Sequence, residues 1–331
     1  PLREQPNRKP CGRPLPTPGI RLWGNRMTEF YLPSHGKGRI HCVQWAPLTP
    51  VRMIVQIVHG IAEHVERYSD FAQFLNQRHA LVVAEDHMGH GGSLAPGDPP
   101  GYFYGGWTAA VDDTFSLLQK TKKEHPQIPY VLLGHSMGSF LTRTLLYRYP
   151  DSGIRAAVIC GTGWQPAPVL RAGLAMCRLA CQKEGETHTS DSLRELIFGS
   201  YNKRVEDPQT PFDWICSDRS VIDAYVADPL CGFSETAGLD RDMLQGIQMN
   251  QRPENLARMD RKLPVLFVAG TQDPVGNYGK GVRKSGEAFR KAGMEDVTVK
   301  LYDNSRHEIL NDVEKRQVYQ GIFQWISSKI F

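Results

Sequence analysis

The sequence predicts an α/β fold: a mainly parallel, twisted sheet with helices on both faces and an inserted helical cap. Three observations carry this. Strand-like runs recur at 28–33, 40–46, 53–58, 80–85, 129–133, 156–160, 264–269 and 297–302. Helical patterns separate most of them, and strand–helix alternation is the signature of parallel strands covered by helices. Between about residues 162 and 250 the alternation stops, over a length too great for a simple connection.

The elements follow in order. The first two strands are joined by a Gly-containing turn and should be antiparallel. The runs 53–58, 129–133 and 264–269 are almost wholly apolar, as strands covered on both faces must be. The run 297–302 alternates instead, with Val297, Val299 and Leu301 set against Thr298 and Lys300. Helical stripes appear as Val111, Phe115 and Leu118, then Val282 and Phe289 closed by Gly293, then Val318, Ile322, Trp325 and Ile326. Residues 27–161 and 251–331 form the predicted core, and 162–250 the cap insertion. Residues 1–26 carry six Arg or Lys against Glu4, six prolines and no apolar period, so they read as a disordered leader. They hold no apolar run of signal-peptide length.

Composition limits the function. A chain of 331 residues with 40% hydrophobic and 22% charged residues suits a globular enzyme with a sizeable core. The net charge of +4 lies in the leader, which carries +5, so the body has no electrostatic footprint for nucleic acid. Seven cysteines, an odd number without a C-x-x-C pair, point to free thiols and a cytoplasmic location. No cofactor is implied. His87 and His90 lie in a Gly-rich turn without a third ligand nearby, so no metal site is expected.

The chemistry centres on Gly134-His135-Ser136-Met137-Gly138, which follows the apolar run 129–133 and precedes a helix-forming stretch ending at Pro150. A G-x-S-x-G turn between strand and helix holds its serine in a strained conformation with the hydroxyl exposed, and the glycines leave room where any Cβ would collide. Ser136 is therefore the candidate nucleophile. A serine needs a base, and the base an orienting acid, in the chain order Ser, Asp or Glu, His. Asp273 follows the strand 264–269 and His307 follows the strand 297–302, so both lie past strand ends on the edge where Ser136 belongs. Asp303 and Asp86 are weaker rivals for the acid. Two N–H groups must face the developing oxyanion. Met137, at a helix N-terminus, supplies one, and Ile61, in the loop after the strand 53–58, supplies the other.

Taken together, His59-Gly60-Ile61-Ala62-Glu63-His64 with Arg67-Tyr68, Asp86-His87-Met88-Gly89-His90-Gly91, the serine turn, Asp273-Pro274-Val275 and Arg306-His307-Glu308 resemble the monoacylglycerol lipase and lysophospholipase branch of the α/β-hydrolases, which is serine-aminopeptidase-like. The resemblance runs from about Met27 to Phe331. It implies the α/β-hydrolase fold, the Ser136–Asp273–His307 triad and hydrolysis of carboxylic esters of lipids. It also implies that Glu63 and Arg67 border the polar end of the substrate pocket; a salt bridge at the following helix is the other reading of the pair. The chain departs from the pattern at Ser139 and Ile61, which bears on pocket shape.

In the cap, residues 169–181 read as an apolar helix too short to span a bilayer. It either packs on the body or makes transient contact with a membrane surface. Trp164, Phe212, Trp214, Tyr225 and Phe233 are candidates to face an acyl chain. A small-ester esterase or peptidase with the same triad, and a non-catalytic binding protein on this fold, remain the alternatives.

Overall fold

The computed structural model describes residues 22–23 and 25–331. Most of the leader expected over residues 1–26 lies outside the described residues. Within it, residues 22–23 and 25–26 pair as strand.

Among the described residues nine strands form one sheet: β1 (Leu22–Trp23), β2 (Asn25–Pro33), β3 (Arg39–Ala46), β4 (Met53–Val58), β5 (Ala80–Glu85), β6 (Tyr130–His135), β7 (Ala156–Cys160), β8 (Val265–Gly270) and β9 (Val297–Tyr302). Their spatial order is β1-β2-β3-β5-β4-β6-β7-β8-β9. The first three strands are antiparallel, and β3 pairs antiparallel with β5. From β5 onward every pairing is parallel. The order reverses around β4, so the chain winds outward from the middle in both directions. The central strands are buried along their whole length, which is why they read as unbroken apolar runs.

The helices are α1 (Ser69–Asn76), α2 (Gly106–Glu124), α3 (Met137–Arg148), α4 (Ala167–Glu184), α5 (Asp191–Phe198), α6 (Arg219–Ala227), α7 (Ala237–Asn250), α8 (Pro253–Leu256), α9 (Lys280–Lys291) and α10 (Lys315–Ile330). Two apolar layers sandwich the sheet. On one face, α2, α3 and α9 pack Val111, Leu141 and Phe289 over Ile54, Leu132 and Phe267. On the other, α1 and α10 pack Phe71, Tyr319 and Ile322 over Val55, Leu133 and Val158. The alternation of side chains along each strand divides it between these layers.

The helical stretch between β7 and β8 is not a layer apart throughout. Leu239, Met243 and Ile247 of α7 join the core under α2 and α3, where Gly246 lies against the Trp107 ring. By contrast, α6 and the preceding loop carry their own small cluster of Trp214, Ile215, Ile222 and Tyr225.

Candidate active site

Ser136 stands between β6 and α3 at φ 53° and ψ −122°, the strained turn its glycines foretold. A Cβ at Gly138 would stand 2.0 Å from the Val58 carbonyl oxygen and 2.5 Å from that of His59, so only glycine lets α3 begin this close to β4. The turn is tied down by the Ser136 N–H, which donates to Cys160 O at 3.0 Å, and by the Ser139 hydroxyl, which donates to Ser136 O at 2.6 Å.

Asp273 and His307 meet as expected from their places after β8 and β9. The His307 Nδ1 lies 3.0 Å from Asp273 Oδ1, which also accepts the Val275 N–H at 2.9 Å. Both side chains are almost wholly buried, and His307 Nε2 has no hydrogen-bond partner among the described residues. The Trp214 ring lies 5.1 Å from the imidazole, centroid to centroid, and the His135 ring 4.9 Å. Ser136 and His307 line one cavity of ≈ 320 Å³. Asp303 and Asp86 do not enter its wall. Asp86 instead accepts from the Val65 and Gly92 N–H groups and pairs with His41.

The loop after β4 borders the serine. A Cβ at Gly60 would stand 3.0 Å from Ser136 Cβ. Ile61 lines the cavity, and its N–H and that of Met137 have no hydrogen-bond partner among the described residues. Met137 opens α3, where the helix dipole adds positive potential.

Glu63 lines the cavity but is turned to the protein. Its carboxylate accepts from the Gly60 N–H at 2.6 Å, the Tyr68 hydroxyl at 2.8 Å and Arg67 Nη1 at 2.8 Å, and lies 3.2 Å from His135 Nδ1. Burial alone would raise Glu63, yet the His135 hydrogen bond and the Arg67 charge hold it well below the usual carboxylate range. Burial would likewise lower His135, but Glu63 raises it above the ordinary imidazole value. Arg67 is not in the cavity wall. It reaches across to Glu308 in a bidentate pair, so the salt-bridge reading describes it and the pocket-lining reading does not. Trp164 is also outside the wall. The chain turns away after β7, and the indole lies beside Lys284 of α9. Phe212, Trp214, Tyr225 and Phe233 do line the cavity, joined by Phe198 and Ile215.

Sequence reasoning missed Glu308, His135 and Tyr68 as parts of one buried network, and α5 as a wall of the cavity. Glu308 had a signal in its place directly after His307. The face of α5 had none, since Asp191, Arg194 and Glu195 read as solvated charge.

His87 and His90 are held by hydrogen bonds to His59 and Met88. The His87 N–H donates to His59 Nε2 at 2.9 Å, and His90 Nδ1 lies 3.1 Å from Met88 O. Burial keeps all three imidazoles below the ordinary value, with His90 lowered to about 3.

Residues 49–314 match the family described as serine aminopeptidase, S33. The chain belongs to that family. It is 29% identical over 312 residues to a monoacylglycerol lipase of Mycolicibacterium smegmatis, covering 92% of this chain and 98% of the relative. It is 24% identical to the monoglyceride lipase of Homo sapiens, covering 88% and 87%. Among solved structures, a thermostable carboxyl esterase from Bacillus coagulans in complex with glycerol superposes with a TM-score of 0.86 at 29% identity, covering 92% and 99%. The monoglyceride lipase of Saccharomyces cerevisiae, at 17% identity and a TM-score of 0.67, shares the α/β-hydrolase fold.

Proposed function

We propose that this family member, a carboxylic ester hydrolase, cleaves single-chain lipid esters of the monoacylglycerol or lysophospholipid class through an acyl-enzyme on Ser136. One observation carries the reading. A serine at positive φ shares an apolar, aromatic-walled cavity with an Asp273–His307 pair whose outer nitrogen is unpartnered.

In this reading His307 Nε2 takes the Ser136 proton as the hydroxyl oxygen attacks the ester carbonyl. Asp273 holds the tautomer and stabilises the imidazolium. The tetrahedral oxyanion is held by the Ile61 and Met137 N–H groups. The alcohol leaves with the proton from His307, and water then releases the acid by the same path. Ser136 Oγ and His307 make no hydrogen bond here; catalytic hydrogen bonds of this kind are often long without substrate and tighten in the complex. Residues 162–250 serve as the cap, supplying Phe198, Phe212, Trp214, Tyr225 and Phe233 to the acyl side of the cavity. The exposed Val169, Met176 and Leu179 of α4 offer a surface for transient membrane contact. Among the described residues no helix is long and apolar enough to cross a membrane.

The family description favours one second reading, an aminopeptidase acting through the same serine. A panel of monoacylglycerols, lysophospholipids, short p-nitrophenyl esters and aminoacyl amides separates the two. Long-chain esters should give the highest kcat/KM. Preference for aminoacyl amides would establish the peptidase, and failure of a fluorophosphonate to label Ser136 would overturn both.

A further inference from the structure

Three chemically different ligand atoms converge outside the cavity wall. His64 comes from the loop after β4, and Asp228 and Cys231 from the turn between α6 and α7. The imidazole nitrogen, the thiol sulfur and a carboxylate oxygen all lie within 4.8 Å of one another. His64 Nε2 and Asp228 Oδ2 are 3.0 Å apart. His64 and Cys231 are 7% and 8% exposed, while the Asp228 side chain is 32% exposed and forms the open corner.

We propose that His64, Asp228 and Cys231 bind a thiophilic divalent cation, Zn²⁺, with water as the fourth ligand. Zinc bonds of about 2.0–2.3 Å in a tetrahedron put neighbouring ligands roughly 3.3–3.8 Å apart. His64 Nε2 and Asp228 Oδ2, 3.0 Å apart, must therefore widen by about 0.3 Å, and the sulfur, within 4.8 Å of both, must close by up to about an ångström. The ion takes the place of the proton now shared by His64 Nε2 and Asp228 Oδ2. The proton on Nε2 moves by way of solvent to Nδ1, so that Nε2 ligates through its lone pair, and the Cys231 thiol releases its proton to solvent as the sulfur bonds the metal. The ligands are pre-positioned. Asp228 Oδ1 accepts the Leu230 N–H at 2.8 Å, which fixes the carboxylate and leaves Oδ2 for the ion. The two ligand-bearing segments are already stitched together, since Ala62 O accepts both the Gly232 N–H and the Tyr225 hydroxyl at 2.9 Å. The nearby Arg67 charge is already met by Glu63 and Glu308. Sequence reading found no metal site because His64 is far from the short D-x-x-C run in the chain. Bound zinc would clamp the cap to the loop that carries Ile61.

The test is independent of the ester chemistry. The full chain, treated with chelator and dialysed, is titrated with Co²⁺ under reducing conditions. One equivalent should raise a thiolate-to-cobalt charge-transfer band in the near ultraviolet, which Zn²⁺ then abolishes by displacement, and Zn²⁺ should raise the Tm. Cys231→Ser should lose the band. Asp228→Asn, at the exposed corner, should weaken Zn²⁺ binding without changing the metal-free Tm. Absence of the band in the full chain, or its persistence in Cys231→Ser, overturns the proposal. An unaltered Zn²⁺ affinity in Asp228→Asn does so as well.

Discussion

Arg67 joins Glu308 through two parallel hydrogen bonds of 2.6 and 2.7 Å, across 241 residues of chain. The pair binds the helix start after β4 to the loop that carries His307, and so connects opposite sides of the candidate site. Burial alone would lower the guanidinium, yet Glu308 and Glu63 raise it well above its ordinary value.

Removing that cation leaves two carboxylates in a nearly dry environment. Arg67→Leu should therefore cost about 3–5 kcal/mol, the usual penalty for breaking a buried ion pair from one side. Urea denaturation measures it. A variant within about 0.5 kcal/mol of the parent would mean that water reaches the pair in solution.

Ser136 separates chemistry from stability. Ser136→Ala should lower kcat by roughly 10⁴-fold or more while the fold persists. Ser136→Gly should be equally inactive but more stable than Ser136→Ala, by about 1 kcal/mol, because glycine accepts a φ of 53° without strain. Equal stability of the two variants would show that the turn stores none.

At Gly138 a methyl group would collide with two backbone carbonyls, neither of which can rotate away. Gly138→Ala should displace α3 from β4 and cost about 3 kcal/mol or more, with loss of serine labelling. Wild-type labelling by a fluorophosphonate would show that the helix start can shift freely.

The clustered imidazoles of His59, His87 and His90 set an acid limit. A histidine whose folded value is depressed stays neutral in the protein while the unfolded chain takes up a proton. Its stabilising effect is therefore complete above the unfolded value of about 6.5 and lost as pH falls towards the folded value. With His90 lowered to about 3, its share of the loss between pH 7 and pH 5 is about 2 kcal/mol. His90→Asn, which can still donate to the Met88 carbonyl, should show a shallower decline over that range in denaturation at stepped pH. An unchanged slope would assign the acid limit elsewhere.

Much of this was legible in the chain because the informative signals are local. A strand covered on both faces has to be an apolar run, and β4, β6 and β8 are such runs. The serine turn announces itself through glycines that sterics requires, and Asp273 and His307 are marked by the strand ends before them. What was not legible depends on distant returns of the chain. For Arg67 the sequence leaves pocket lining and a salt bridge at the following helix both open, and it gives no sign of the partner Glu308 at the other end of the chain. Trp164 follows a strand end as the site residues do, yet the backbone leads it away. The wall built by α5 gave no sign, because a charged helix reads as solvated until a cavity is seen beneath it. The apolar face of α7 was assigned to the insertion, whereas Leu239 and Ile247 complete the central packing.

Ala62 holds a left-handed backbone at φ 52°, next to Ile61, and its carbonyl is the shared acceptor for the turn before α7 and for Tyr225. That oxygen is one of several ties between the turn before α7 and the loop beside Ser136, the His64–Asp228 bond being another. If that turn swings outward as substrate enters, the bonds to Ala62 O break and the neighbouring Ile61 peptide, the proposed oxyanion donor, is freed to reorient, so that access and readiness would be coupled.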